Sequence, residues 1–386
     1  DTIGFVLRGR FVHAVGAPGE LEFIEDGCVA VGEDGAILHV AKTTEDVELL
    51  LSRTDQRVTT MEGAHFCVPG MIDTHVHAPQ YQFTGTATDL PLMQWLQAYT
   101  FPAERRCEDT AYAARVYGGL VRRLLASGTT TAVYYGSIHL EATKALVDAC
   151  RAQGQRALVG KVAMDQHGAE GYQETTEASL RDTEALIEYC YECEPGATEG
   201  PEQSMSRLVN PVVTPRFIPT CSDALLEGLG RIAAKHRARG CWVQSHLAES
   251  HDEMTFVEAL HPGRRDAQIF DAAGLLTARC VMAHAVHLTP SELQCRAQNV
   301  CMQLCVARGT GIACCPLSNF FFSGGAFPLR SAQAAGARVG LGTDVAGGYS
   351  PSMLNACRTA VLAGKTLGWG AAAGGAAGGT AGGAAG

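Results

Sequence analysis

A repeated alternation of short β-rich runs and amphipathic helical stripes constrains this chain more than any other feature. Strand-like runs occur at 65–72, 130–135, 156–164, 209–214, 240–246, 280–286, 310–315 and 338–343. Helical patterns separate most of them, at 105–126 (Tyr112, Val116, Leu120 and Leu124 on one stripe), 140–152, 222–238 and 352–367. Eight such units predict an α/β fold, a closed (β/α)8 barrel of the TIM type. A doubly wound open sheet is the rival, and it should carry a G-x-G-x-x-G turn after its first strand. That turn is missing.

Upstream the rhythm differs. Runs 3–7, 11–15, 21–24, 28–31 and 36–40 read as strands broken by Gly16–Gly19, Asp26–Gly27 and Glu33–Gly35. Residues 1–64 are therefore expected to form a small β-sandwich module, 65–367 the barrel, and 368–386 an unassigned tail. From 371 on, the chain is only Ala and Gly apart from Thr380. Residues 192–206, rich in Pro, Gly, Glu and Ser, read as a mobile surface insertion.

Composition excludes several classes. Of 386 residues, 46% are hydrophobic, enough for a globular core. With 40 acidic against 30 basic side chains, the net charge of −10 argues against nucleic-acid or anionic-membrane partners. No stretch supplies the roughly 20 apolar residues of a membrane span. Arg8 and Arg10 precede any apolar run, so no signal peptide is expected. Fifteen cysteines without a secretion signal then read as reduced thiols in the cytoplasm. Cys67, Cys241, Cys280, Cys314 and Cys315 lie in apolar runs as small hydrophobes, and Cys190 and Cys193 read as helix-surface thiols.

The chemistry gathers at strand ends. The run Pro69-Gly70-Met71-Ile72-Asp73-Thr74-His75-Val76-His77 ends the first barrel strand. Strand side chains repeat every second residue, so His75 and His77 share one face, about 6–7 Å apart along the backbone. A His-x-His alone is weak evidence. Three further strand ends strengthen it: Gln244-Ser245-His246-Leu247-Ala248-Glu249, Ala283-His284-Ala285-Val286-His287 and Gly342-Thr343-Asp344. All four fall at C-terminal strand ends, where such barrels place their chemistry. Packing explains one histidine, but not four converging ionisable strand ends, because unpaired buried charge is costly. Nitrogen and oxygen donors without thiolate suit zinc best, with iron or manganese as other occupants.

These motifs in order (Pro-Gly-x-Ile-Asp-x-His-x-His, His-x-x-Glu, Ala-His, Gly-Thr-Asp) resemble the amidohydrolase superfamily. More narrowly, the chain is similar to its guanine deaminase family. That match rests on Pro69 to Tyr81 (PGMIDTHVHAPQY), Tyr99 to Glu104 (YTFPAE), Thr214 to Phe217 (TPRF), His246 to Glu249 (HLAE), Cys315 to Asn319 (CPLSN) and Gly340 to Met353 (GLGTDVAGGYSPSM). The resemblance covers roughly residues 1–367. It departs at the end, where the family has strands that complete the small β-module and this chain has its Ala/Gly tail.

The resemblance implies a homodimer that hydrolyses guanine to xanthine and ammonia. It implies one zinc per subunit, held by His75, His77, His246 and Asp344, with a water whose pKa the ion lowers to about 7. Members that bridge two metals carry a carbamylated Lys at the end of strand four. Here that end reads Val213-Thr214-Pro215-Arg216, which favours one ion. Glu249 would shuttle the proton from water to the ring and then to the leaving nitrogen. Asp344 would be both ligand and proton acceptor, and His284 would bond the nucleophile or the developing negative charge. His287 reads as structural. Gln80 offers donor and acceptor to a purine edge. Arg216 either donates to a ring carbonyl or pairs with a nearby carboxylate, and Phe217 stacks on the ring. His77, His246, Glu249 and Asp344 also count as substrate contacts. A site that demands a carbonyl disfavours adenine. Trp95, Leu96 and Tyr99 to Pro102 read as a loop wall over the base, or as core.

Two alternatives stay open at this point. One is a sister aminohydrolase for a pterin, cytosine, a modified adenosine or a triazine. Another is a non-catalytic scaffold on the same barrel, which would not need a full ligand set. A nucleic-acid deaminase would carry His-x-Glu with Pro-Cys-x-x-Cys, which is missing here.

Overall fold

The computed structural model describes residues 2–16, 19–194, 207–288 and 296–376. The chain divides into two compact units, 1–70 and 71–386. The insertion expected at 192–206 lies, from residue 195 on, outside the described residues.

The first unit is a five-stranded sheet: β1 (Ile3–Ala14), β2 (Leu21–Gly32), β3 (Ile37–Ala41), β4 (Val58–Thr60) and β5 (Phe66–Cys67). Its order is β3-β2-β1-β4, with β5 also on β1. The separate short runs expected here fuse into two 12-residue strands. No turn forms at Asp26–Gly27, because Gly27 pairs with Gly9 and the register shifts between Gly9 and Phe11. A bulge absorbs the break, and Gly9 at φ 148° supplies the backbone freedom it needs. The helix Thr44–Ser52, capped by the Thr43 hydroxyl, lays Val47 and Leu50 against Val6, Cys28 and Ala30.

The second unit carries the barrel: β6 (Met71–His77), β7 (Thr129–Tyr135), β8 (Arg156–Gly160), β9 (Val162–Ala163), β10 (Val209–Pro215), β11 (Trp242–Leu247), β12 (Cys280–His284), β13 (Gly311–Cys314) and β14 (Arg338–Leu341). Eight of them run β14-β13-β12-β11-β10-β8-β7-β6, and β9 pairs separately with β10. Every pairing is parallel. The ends of the path approach each other where Thr74 Oγ1 donates to the Leu341 carbonyl at 2.8 Å. This is the expected α/β barrel.

Two local differences appear. The run at 65–72 is not one strand, because Pro69-Gly70 interrupts it: Phe66–Cys67 joins the first sheet and the barrel strand starts at Met71. The last helix runs Met353–Ala376 rather than stopping at 367. Other helices match their stripes closely, at Thr110–Ala126, Leu140–Gln153 and Asp223–His236. Their apolar faces, such as Leu225, Leu226 and Leu229, pack on Val213, Val243 and Met282 of the sheet. All described cysteines are free. Cys190 is buried rather than on its helix surface, since it shares the core-facing stripe with Leu186 and Ile187. Among the described residues, no helix is long and apolar enough to cross a membrane.

Candidate active site

Period-two geometry places Asp73, His75 and His77 of β6 on one side, all buried. Asp73 accepts from Thr343 N at 2.9 Å, Thr343 Oγ1 at 2.6 Å and His75 N at 3.2 Å. That clamp fixes the segment after β14, and Asp344 N donates to the His75 carbonyl at 2.9 Å. Burial raises the Asp73 carboxyl to about 6 despite these bonds. Strand ends turn sharply into the mouth: Ala248, His284, Ala285 and Asp344 have φ of 45°, 68°, 52° and 49°. Such left-handed non-glycine residues are costly and cluster at working sites.

Four side chains converge as a result. His77 Nε2 lies 3.2 Å from His75 Nε2 and 3.0 Å from His246 Nε2. Asp344 Oδ1 lies 3.2 Å from His75 Nε2 and 3.5 Å from His77 Nε2. His246 donates its Nδ1–H to the Arg216 carbonyl at 2.6 Å, so its neutral ring presents an Nε2 lone pair. Burial pushes His77 and His246 well below the usual histidine value, with the His75 charge adding to it. Burial raises Asp344 too, but the His75 charge and hydrogen bond outweigh it and hold the carboxylate ionised. The His246 Nε2 lone pair and the Asp344 carboxylate both face His77 Nε2, an electron-rich cluster that a cation would satisfy. The donor set fits a divalent metal.

Two acid–base groups stand beside it. His284 Nδ1 lies 3.0 Å from Asn319 Oδ1, while its buried Nε2 has no hydrogen-bond partner. That nitrogen is 3.5 Å from Glu249 Oε1 and 3.9 Å from Asp344 Oδ2. Burial lowers His284 to about 4. Burial, with the Asp344 charge nearby, pushes the Glu249 carboxyl well above the usual range. His287 bonds the Ser323 carbonyl at 3.1 Å, on the structural side of the mouth. The Tyr135 ring packs against His75, His77 and His246, with centroids 4.6–4.9 Å away.

The mouth opens into a cleft walled by Gln80, Trp95, Leu96, Arg216, Phe217 and Phe322. Arg216 follows its ion-pair reading as well as lining the cleft: its Nη1 and Nη2 lie 2.6 and 3.1 Å from Glu104 Oε2 and Oε1. The wall over the cleft is helical, not a loop, across Leu92–Arg105. Tyr99 is 38% exposed and Phe101 lies beneath Arg216, so neither faces the cleft. A π-turn at Leu96–Thr100 widens the spacing and rotates Tyr99 off the face that Trp95 and Leu96 share. Asp73, Glu104 and Asn319 had no role assigned from sequence. Each lies inside a quoted motif, and Asp73 also shares the period-two face.

A parallel barrel that gathers cation ligands at this mouth and sets a protonatable carboxyl beside them is built for metal-assisted hydrolysis. The chain belongs to the amidohydrolase family, whose profile matches residues 66–379. Its relatives within that metal-dependent family include a guanine deaminase of Dictyostelium discoideum, 38% identical over 367 residues, which cover 92% of this chain and 76% of that one. The guanine deaminase of Rattus norvegicus is 38% identical over 369 residues, covering 95% and 76%. Among solved structures, guanine deaminase from C. acetobutylicum with guanine bound superposes with a TM-score of 0.82 at 28% identity, covering 95% of this chain and 80% of that one.

Proposed function

We propose that the protein hydrolyses guanine to xanthine and ammonia with one zinc ion per chain, iron being the alternative metal. The observation that carries this reading is the pairing of the ligand cluster with a wall that presents the Arg216 guanidinium and the Gln80 amide to one small cleft. His75, His77, His246 and Asp344 would hold the ion. When bound, it supplies an acidified water at neutral pH.

The chain's own groups do the rest. Arg216 donates to the O6 carbonyl of guanine, where adenine would offer an amino group and leave the guanidinium unpaired. Gln80 reads the ring edge, and Phe217 packs against the ring. Glu249, raised by burial, takes a proton from the attacking water and gives it to the ring, then carries the second proton, from the hydroxyl added to the carbon, to the departing nitrogen as its C–N bond breaks and ammonia leaves. With Nδ1–H spent on Asn319, neutral His284 offers Nε2 as an acceptor. It then orients the nucleophile by accepting its hydrogen bond, the first of the two roles weighed for it. Asp344 stays ionised as ligand and secondary acceptor.

A cytoplasmic homodimer belongs to the same reading. Support comes from the free thiols and from Leu354, Val361 and Leu362, each more than half exposed on the last helix. Light scattering in solution tests the dimer. Metal-replete protein incubated with guanine, followed by ultraviolet absorbance and by ammonia release, tests the reaction. Formation of xanthine is expected, and its absence sinks the proposal.

A further inference from the structure

We infer that Glu104 is the positioning residue of the recognition wall, fixing both Arg216 and Gln80 so that the cleft selects a ring with a carbonyl oxygen. The inference rests on the guanine reading and deepens it. Glu104 is fully buried and does not line the cleft, whereas Arg216 and Gln80 do. Its Oε1 accepts from Gln80 Nε2 at 2.8 Å and from Arg216 Nη2 at 3.1 Å. Its Oε2 accepts from Arg216 Nη1 at 2.6 Å and from the Tyr172 hydroxyl at 2.6 Å. All four acceptor sites of the carboxylate are filled.

The consequence is directional. A carboxylate only accepts, so the group of Gln80 that turns to it must be the amide N–H. The Gln80 carbonyl is thereby turned elsewhere, and lies 3.4 Å from Ala346 N. A two-point fork fixes the plane of the guanidinium, which the Phe101 ring supports at 4.9 Å. Two of its five N–H groups are committed to Glu104, and the plane then determines where the others point. One side chain thus orders both polar readers of the wall, 24 and 112 residues away in sequence. Replacing it by the isosteric amide would remove the charge and set an NH2 either against Gln80 Nε2 and Arg216 Nη2 or against Arg216 Nη1 and the Tyr172 hydroxyl, breaking the fork on Arg216 in both cases.

The test compares wild type, Glu104→Gln, Arg216→Ala and the double variant, with metal content and circular dichroism on each sample. Two quantities are read: KM for guanine, and the dissociation constant of hypoxanthine, which keeps the carbonyl but lacks the amino group to be expelled. Glu104→Gln should raise both at least tenfold with unchanged metal content. In the Arg216→Ala background it should add less than threefold. Values within twofold of wild type, or a fall in kcat alone, overturn the inference. So does full additivity of the two changes. Should Glu104→Gln fail to fold, Tyr172→Phe removes one donor and leaves the ion pair. A two- to fivefold weaker hypoxanthine constant supports the inference, and an unmoved one overturns it. Wild type that binds hypoxanthine without turning over guanine overturns the guanine reading alone, since hypoxanthine binding still reads Glu104. Wild type that binds no purine overturns both.

Discussion

His246 donates its Nδ1–H to the main-chain carbonyl of Arg216 at 2.6 Å, so one residue orients a proposed cation ligand with its backbone and faces the cleft with its side chain. The two tasks are therefore separable by mutation. Arg216→Ala retains the carbonyl, and bound metal should stay at the wild-type level while KM for guanine rises at least tenfold. His246→Ala should lose most of the metal and, with it, turnover. Inductively coupled plasma analysis beside steady-state kinetics checks both. Arg216→Ala also strands Glu104 without its charge partner, which costs about 3–5 kcal/mol. A fall in thermal midpoint should accompany its KM effect.

Glu249→Gln keeps shape and removes the proton carrier. Turnover should drop on the order of 10²- to 10⁴-fold. Glu249 lies outside the proposed ligand set, so metal content should hold. Activity within threefold of wild type would show that another group moves the proton.

Lys161 and Glu174 form a buried pair at 2.6 Å, with the Lys161 ammonium fully enclosed. Burial lowers the lysine and raises the glutamate, each against its charge, and each is the other's main charge partner, with the Val162 carbonyl and the Ser179 hydroxyl adding a hydrogen bond apiece. Lys161→Met alone should destabilise by about 3–5 kcal/mol, whereas Lys161→Met with Glu174→Gln should recover most of it. Denaturant unfolding of the three proteins measures the coupling.

Among the described cysteines, Cys357 is exposed, and burial raises most of the others above the usual thiol value. Thiolate is the reactive form. Iodoacetamide on native protein diluted to the monomer should modify Cys357 first, since Cys357 shares the proposed dimer face with Leu354 and Val361, while Cys150, Cys241 and Cys315 should react only after unfolding. Peptide mass spectrometry reads the order.

The barrel was legible because its signals are local. Each strand is a short apolar run, each helix a stripe, and each strand end a handful of adjacent residues. His75 and His77 share a face by the pleat alone, and His246, His284 and Asp344 sit at the same end of β11, β12 and β14. The N-terminal strands were harder to read, as the Gly9 bulge is decided by pairing and Asp26–Gly27 looks like a turn in isolation.

What sequence alone determined is the fold class, the mouth at which chemistry gathers, and the residue types assembled there. Those follow from periodicity and from the cost of burying charge without a partner. Tertiary structure decided which atoms meet. Glu104 reaches Arg216 across 112 residues, Asn319 sets the proton on His284, and a π-turn takes Tyr99 off the wall. These are long-range hydrogen bonds and one slipped helical turn, and no local pattern encodes either. Hydrogen bonds of a few ångströms depend on where distant strands end once the barrel has packed. The proposed ligand set is therefore written in the chain, and the shape of the cleft wall is written only in the fold.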